Sequence, residues 1–194
     1  MRPAGTLRRV ALLSLILVYA TAASAQEFAV PASARAAIIA ETNAYRLANG
    51  LAPLRESAAA DGVAQRYARY LALNNKTGHR ADGRSPAQRL REGGVKYCKF
   101  RGENWHLSWT RPQRASAGAA MAKAMRFWTR SPGHERALRS ASTDIGVGVA
   151  GAKHGSQWHY VSVQMFFDTS CFRAPPEKPV PPLPDRNPGR IEVP

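Results

Sequence analysis

Among the side chains able to do acid–base, nucleophilic or metal chemistry, the histidines come first: His79, His106, His134, His154 and His159. Two of them follow a glycine, in Gly78-His79 and Gly133-His134, and a carboxylate sits in a similar short string, Gly102-Glu103-Asn104-Trp105. Neutral imidazole is a good ligand for a divalent cation such as Zn²⁺, and a nearby carboxylate can orient a water or a ring nitrogen. Water on such a metal is acidified and can attack a carbonyl or phosphoryl centre. Catalytic zinc normally has three protein ligands, so a pair of imidazoles alone makes a weak site. Other chemistries find less support. Ser85, Ser108 and Ser131 lie in no Gly-x-Ser-x-Gly elbow, so a serine hydrolase is not indicated. The chain has no glycine-rich phosphate loop and no His-Glu-x-x-His string. Ser131, three residues before His134 in a breaker cluster, reads as a helix or loop cap. His106 reads as an exposed polar neighbour of the Glu-Asn-Trp string, with a cleft-lining place as the alternative, and His154 as a solvent-facing loop residue. His159, in a strand, can point either way.

The elements that must position these residues follow from periodicity. Ala37, Ile38, Ala40, Ala44, Tyr45 and Leu47 approximate a helical stripe over about 34–48, with Ser33 as cap and Gly50 as stop. A second helix is expected over about 57–73, from the recurrence of Val63, Ala64, Tyr67, Tyr70 and Leu71. The string Asn74-Asn75-Lys76-Thr77-Gly78 then breaks the pattern and presents His79 on a loop. Ser85-Pro86 opens a short helix to about Glu92, since proline is tolerated in the first turn. Gly102-Glu103-Asn104 reads as a turn leading towards a helix over about 115–129, and Ser131-Pro132-Gly133 as a breaker. Two strands close the pattern, at about 144–150 and 159–167, with a hairpin connection over 152–157.

The ends bound the domain. Arg2, Arg8 and Arg9, the apolar run from Val10 to Val18 and Ala23-Ser24-Ala25 have the parts of a secretory signal peptide over residues 1–25. The run is shorter than the roughly 20 residues a membrane span needs, and no second long apolar segment follows, so the mature form is expected to have no transmembrane segment. A retained amphipathic anchor is the alternative. Residues 26–173 suit one domain, and residues 174–194 form a proline-rich tail that cannot build a core and is expected to be flexible. The net charge of +15 would attract anionic partners such as lipopolysaccharide or acidic wall polymers, but the expected reading is a soluble basic exported protein. Nucleic acid is not the expected partner, because the arginines are scattered and no basic run is interleaved with aromatics. Cys98 and Cys171 are an even count in an oxidising compartment, so a disulfide is expected, with two buried free thiols as the alternative.

The ordered motifs carry a resemblance. Asn43-x-x-Arg46-x-x-Asn49-Gly50-Leu51-x-Pro53-Leu54, Gly78-His79, Gly102-Glu103-Asn104-Trp105, Trp128-x-x-Ser131-Pro132-Gly133-His134, Ile145-Gly146-Val147-Gly148-Val149 and Tyr160-Val161-Ser162-Val163-Gln164-Met165-Phe166 together resemble the CAP superfamily (cysteine-rich secretory proteins, antigen 5 and pathogenesis-related 1 proteins). The similarity is greatest to its short bacterial secreted branch, the SCP-like proteins. The resemblance implies an α/β fold, an α-β-α sandwich with a central antiparallel sheet flanked by helices and a cleft on one side. Carried onto this chain, the cleft residues are His79, Glu103 and His134, with His79 and His134 as metal ligands. The fourth position, an acid in many members, is Ser131 here. Asn43, Arg46, Asn104, Trp105 and Trp128 read as scaffold, Asn43 capping or bridging and Arg46 pairing. The expectation is a periplasmic or secreted binding or interaction module rather than an enzyme, with at most weakly bound zinc and with lipid, cell-envelope polymer or protein as partner. The rivals are a metal-assisted, peptidase-like hydrolase and a lipid or sterol carrier.

Overall fold

The structure, a computed structural model, describes residues 25–172. The signal-peptide reading of 1–25 therefore falls almost wholly, and the tail reading of 174–194 wholly, outside the described residues. The elements run β1 (Gln26–Phe28), α1 (Ala32–Ala48), β2 (Arg55–Glu56), α2 (Ala58–Asn74), α3 (Pro86–Glu92), β3 (Lys99–Thr110), α4 (Ala117–Arg130), α5 (Pro132–Leu138), β4 (Asp144–His154) and β5 (Gln157–Asp168), followed by a 3-10 turn, Ser170–Phe172. The sheet order is β1-β4-β5-β3 with β2 joined to β4. All pairings are antiparallel except the short parallel contact of β2 with β4. No helix among the described residues is long and apolar enough to cross a membrane.

The alternation in Ile145-Gly146-Val147-Gly148-Val149 sorts the two layers. Ile145, Val147 and Val149 pack with Ile38, Met121, Ala124 and Trp128 under α1 and α4. Gly146 and Gly148 face α2 at bare backbone distance: a Cβ on Gly148 would stand 2.3 Å from the Ala64 carbonyl carbon. The opposite side of β5 completes that layer, with Val161, Val163, Met165 and Phe167 packed against Ala60, Ala64, Tyr67 and Leu71 of α2. Helices thus cover both faces of the sheet, one core on each side. Between its contacts with β2 and β1, the outer edge of β4 is closed by side chains of α2. Asp61 accepts from the Val147 amide at 2.7 Å, and Gln65 bonds both the amide and the carbonyl of Val149.

Four helices lie within a residue or two of the expected spans. The first has Pro31 rather than Ser33 at its N-cap, because proline fixes the entry angle and needs no amide partner. The larger differences concern the site. Gly102-Glu103-Asn104 is no turn but part of the twelve-residue strand β3, paired along its length with β5 through a bulge at Phe100/Gly102. Ser131-Pro132-Gly133 does not merely end α4, since Pro132 is the first residue of α5. The closing strands are longer than expected, and the hairpin turn shrinks to Gly155-Ser156. His154 is accordingly no loop residue. Its Nε2 meets the Ala72 carbonyl at 2.7 Å, and its ring lies 4.7 Å from that of buried His159.

Candidate functional site

β3 is an outer strand of the sheet, and its alternation sends neighbouring side chains to opposite faces. Trp105 and Leu107 pack on the α2 side, and Glu103 meets α3 there through Arg89. His106 faces the α4 side, where its ring lies 5.2 Å from that of Phe127. The candidate residues gather around this edge from both faces.

His79 arrives from the α2 side. Asn75 in a left-handed conformation ends α2, Gly78 turns the chain at φ 107°, and the Tyr67 hydroxyl donates to the Gly78 carbonyl. His79 Nδ1 meets Glu103 Oε1 at 2.9 Å. The other carboxylate oxygen of Glu103 accepts from Arg89 Nη2 at 2.6 Å. Arg89 is the hub of this corner. Its guanidinium also donates to Asp82 Oδ1 at 2.9 Å and to the carbonyls of Arg84 and His79, and it stacks on the Tyr67 ring at 3.4 Å. Side chains of both Arg89 and Glu103 are buried, at 4% and 1% exposure, while that of His79 is half exposed. The carboxylate is thus sealed beneath an accessible imidazole whose orientation it fixes.

His134 arrives from the other face, on the first turn of α5. Ser131 uses its hydroxyl on His134 Nδ1, at 2.8 Å, instead of capping the helix. Asn104 of β3 donates to the His134 carbonyl and to Gln164. Tyr45 donates to Glu135 at 2.6 Å, and Arg46 donates to the carbonyls of Ala52, Leu138 and Ser140. Arg46 therefore does not pair with a charge, as its place in the motif suggests. It satisfies carbonyl groups around the end of α5 instead, and burial lowers its pKa. Asn43 bridges as expected, clasping Leu54 through both its amide and its carbonyl. The Asn43–Leu54 motif therefore anchors the helix that carries the second histidine.

Beside His134 lies a cavity of 280 Å³ lined by Thr77, Trp105, His106, Leu107, Phe127 and His134; His79 and Glu103 are not among its lining residues. Phe127 is 47% exposed and covers the His134 ring at 5.0 Å. The His79 ring stands edge-on to Trp105 at 6.4 Å. Burial, and then the nearby His79 imidazole, lower the pKa of His134. Burial, then His134, then Lys123 push His106 down to about 4. His106, expected as an exposed neighbour with a cleft-lining place as the alternative, lines the cavity, and its buried Nδ1 has no partner among the described residues. Trp105, read as scaffold, does both jobs: its carbonyl accepts from Trp128 Nε1 and its side chain lines the cavity.

The depressed His106 pKa has a testable sign. The unfolded chain binds a proton near pH 6.5 and the folded one only near pH 4, so this residue withdraws stability as pH falls through that window. In His106→Phe, unfolding midpoints at pH 4.5 and 7.5 are expected to lie closer together than in the wild type. An unchanged difference would show that His106 titrates as an ordinary surface histidine.

His79 and His134 both have Nδ1 engaged, on Glu103 and Ser131, and neither Nε2 has a hydrogen-bond partner among the described residues. Paired imidazoles of this kind, with Nδ1 held and Nε2 left over, suit a metal or a polar ligand. No third His, Cys, Asp or Glu joins them in a metal-holding group among the described residues.

Arg89 and Asp82 have no role in the sequence reading, and Tyr67 enters it only in the apolar stripe of the second helix. The signal is slight: Arg89 and Arg91 flank Leu90 in a short helix, and either looks like any solvated charge. Cys98 and Cys171 are joined by a disulfide, with Cα atoms 5.9 Å apart, and tie the start of β3 to the turn after β5.

No curated protein matches the chain in sequence. Among solved structures, an outer surface protein from Borrelia burgdorferi superposes with a TM-score of 0.57 at 19% identity, covering 75% of this chain and 99% of that one. An extracellular SCP-domain protein from Bacillus anthracis gives 0.52 at 22% identity, covering 71% of this chain and 41% of the other. These likenesses bear on the fold. The profile of the Cysteine-rich secretory protein family matches residues 39–166, from α1 through β5, and the chain belongs to that family, CAP.

Proposed function

We infer that the chain works outside the cytoplasm as a binding module rather than as an enzyme, with its ligand seated over the outer edge of β3. The disulfide supports an oxidising compartment, and the two structural relatives are described as an outer surface and an extracellular protein. The observation that carries the non-catalytic reading is the state of Glu103. A general base must reach the proton it removes, directly or through one water. Both oxygens of Glu103 are occupied, by His79 and Arg89, and its side chain is 1% exposed. It acts as an anchor for His79.

The Nε2 atoms of His79 and His134 would hold a divalent cation such as zinc, with Glu103 and Ser131 orienting the rings from behind. When bound, zinc would supply Lewis acidity. Two protein ligands fit weak rather than structural binding. Trp105, Leu107 and Phe127 would cover an apolar part of the ligand. His134 stays neutral below the usual histidine range and so remains a competent ligand in mild acid.

Calorimetry with zinc tests this reading. His79→Ala is expected to weaken binding by roughly tenfold or more, the usual scale for a disturbed ligand set, and a peptidase and esterase panel is expected to show no turnover. Equal zinc affinity in the variant would remove His79 as a ligand. Zinc-dependent turnover abolished by Glu103→Gln would replace the binding module with a hydrolase.

A further inference from the structure

A larger hollow, of 390 Å³, lies behind the buried corner and shares no lining residue with the histidine cavity. Arg66, Tyr67 and Tyr70 of α2, Asp82 and Arg84 of the following loop, and Arg89 and Glu92 of α3 surround it. Its charges are not matched internally. Asp82 is spent on Arg89 at 2.9 Å. Glu92 accepts from Gln88 at 2.7 Å and meets Arg84 only at 3.6 Å, with both side chains about half exposed, a pairing worth little in water. Arg66 has no hydrogen bond or ion pair among the described residues. Its guanidinium reaches over Gly93, where an added Cβ would stand 3.3 Å from Nη2. Arg89, with its side chain 4% exposed, has a buried Nε without an acceptor among the described residues.

An unsatisfied donor on a buried guanidinium costs free energy unless something supplies the acceptor. Two further guanidinium groups at the same hollow, one unpaired and one loosely paired, define what that something should be. We propose that this hollow is a second binding site, for a phosphate group presented by a small molecule or an envelope polymer. Phosphate has the oxygens to accept from several planar guanidinium forks at once and the charge to compensate them. Arg66 and Arg84 would reach the group from the rim; Arg89 lines the hollow too, and its Nε, sealed from solvent as the corner stands, would have to turn towards the group to donate. Arg89 also holds Glu103, so occupancy of the hollow would bear on the carboxylate that orients His79. The site stands independently of the zinc reading.

The test is an NMR titration of the full chain with inorganic phosphate at constant ionic strength, following the Arg89 Nε–H signal. A saturable shift of that signal is expected. Arg66→Glu should weaken the affinity by roughly tenfold, as expected for losing and reversing one charge-assisted fork. Glu92→Gln, which removes a competing carboxylate from the wall, should tighten it, an outcome that a merely damaged fold would not produce. Acetate competing at the same signal, but more weakly, fits the phosphate preference. Acetate binding equal to or tighter than phosphate would overturn that preference. An unmoved Arg89 Nε–H, or equal phosphate affinity in Arg66→Glu, would overturn the site.

Discussion

Replacing Arg89 by methionine is expected to destabilise the protein by about 3–5 kcal/mol, the usual scale for removing one partner of a buried ion pair. The methylene part of the side chain would be kept and packing near Tyr67 largely preserved, so the cost comes from charge. Glu103 would keep a carboxylate inside the fold with one oxygen on His79 and the other on nothing. Asp82 would lose its ion pair and keep only the Arg84 amide, and the carbonyls of His79 and Arg84 would lose their donor. Lysine should rescue little, because one ammonium cannot serve two carboxylates and two carbonyls in the plane that a guanidinium spans. The diagnostic variant is the double change Arg89→Met with Glu103→Gln. Neutralising the stranded carboxylate should recover a large part of the loss in chemical denaturation, which simple loss of packing would not allow. If the single variant falls by less than about 1 kcal/mol, the network is no more than a set of surface contacts. Because Arg89 also fixes the His79 carbonyl, zinc affinity should fall in the single variant as well.

That network shows where sequence reading stops. The layers are legible because apolar periodicity is a local signal: the helical stripes mark α1 and α2, and the Gly/Val alternation marks β4. Glu103 reads as part of a turn because β3 has glycine at 102 beside charged residues, and a single strand does not reveal its partner. Only the pairing with β5 makes it a strand. The two histidines and the glutamate come from the family's motifs, and no local rule joins His79 to Glu103. Arg89 shows the opposite limit. A buried arginine violates the expectation drawn from composition, and it is tolerated because Glu103, Asp82 and two carbonyls converge on it in three dimensions. His106 misleads for a similar reason: its exposure depends on Phe127 folding across from another helix.

Loss of the Cys98–Cys171 bridge should cost about 4 kcal/mol, on the chain-entropy account of closing a long loop. The sequence separation is 73. The enclosed segment holds β3, α4, α5, β4 and β5, and with them Glu103 and His134, but neither His79 nor Arg89. In the folded state the bridge has little left to hold. The Cys98 amide already donates to the Asp168 carbonyl at 2.7 Å, Lys99 pairs in register with Asp168, and Arg101 reaches the Asp168 carboxylate at 3.1 Å. Its effect should therefore fall mainly on the unfolded chain, which gains freedom when the link is cut. The expected result for Cys98→Ser with Cys171→Ser is a midpoint lower by roughly 8–16 °C, at about 2–4 °C per kcal/mol for a domain of this size. Zinc affinity and the histidine titrations at room temperature should stay unchanged, since the β3–β5 register survives. A midpoint within about 2 °C of the wild type would mean that the unfolded chain is already compact across this segment. Loss of zinc binding in a variant that remained folded would instead mean that the bridge holds the β3 edge in shape, and the entropic account would have to be abandoned.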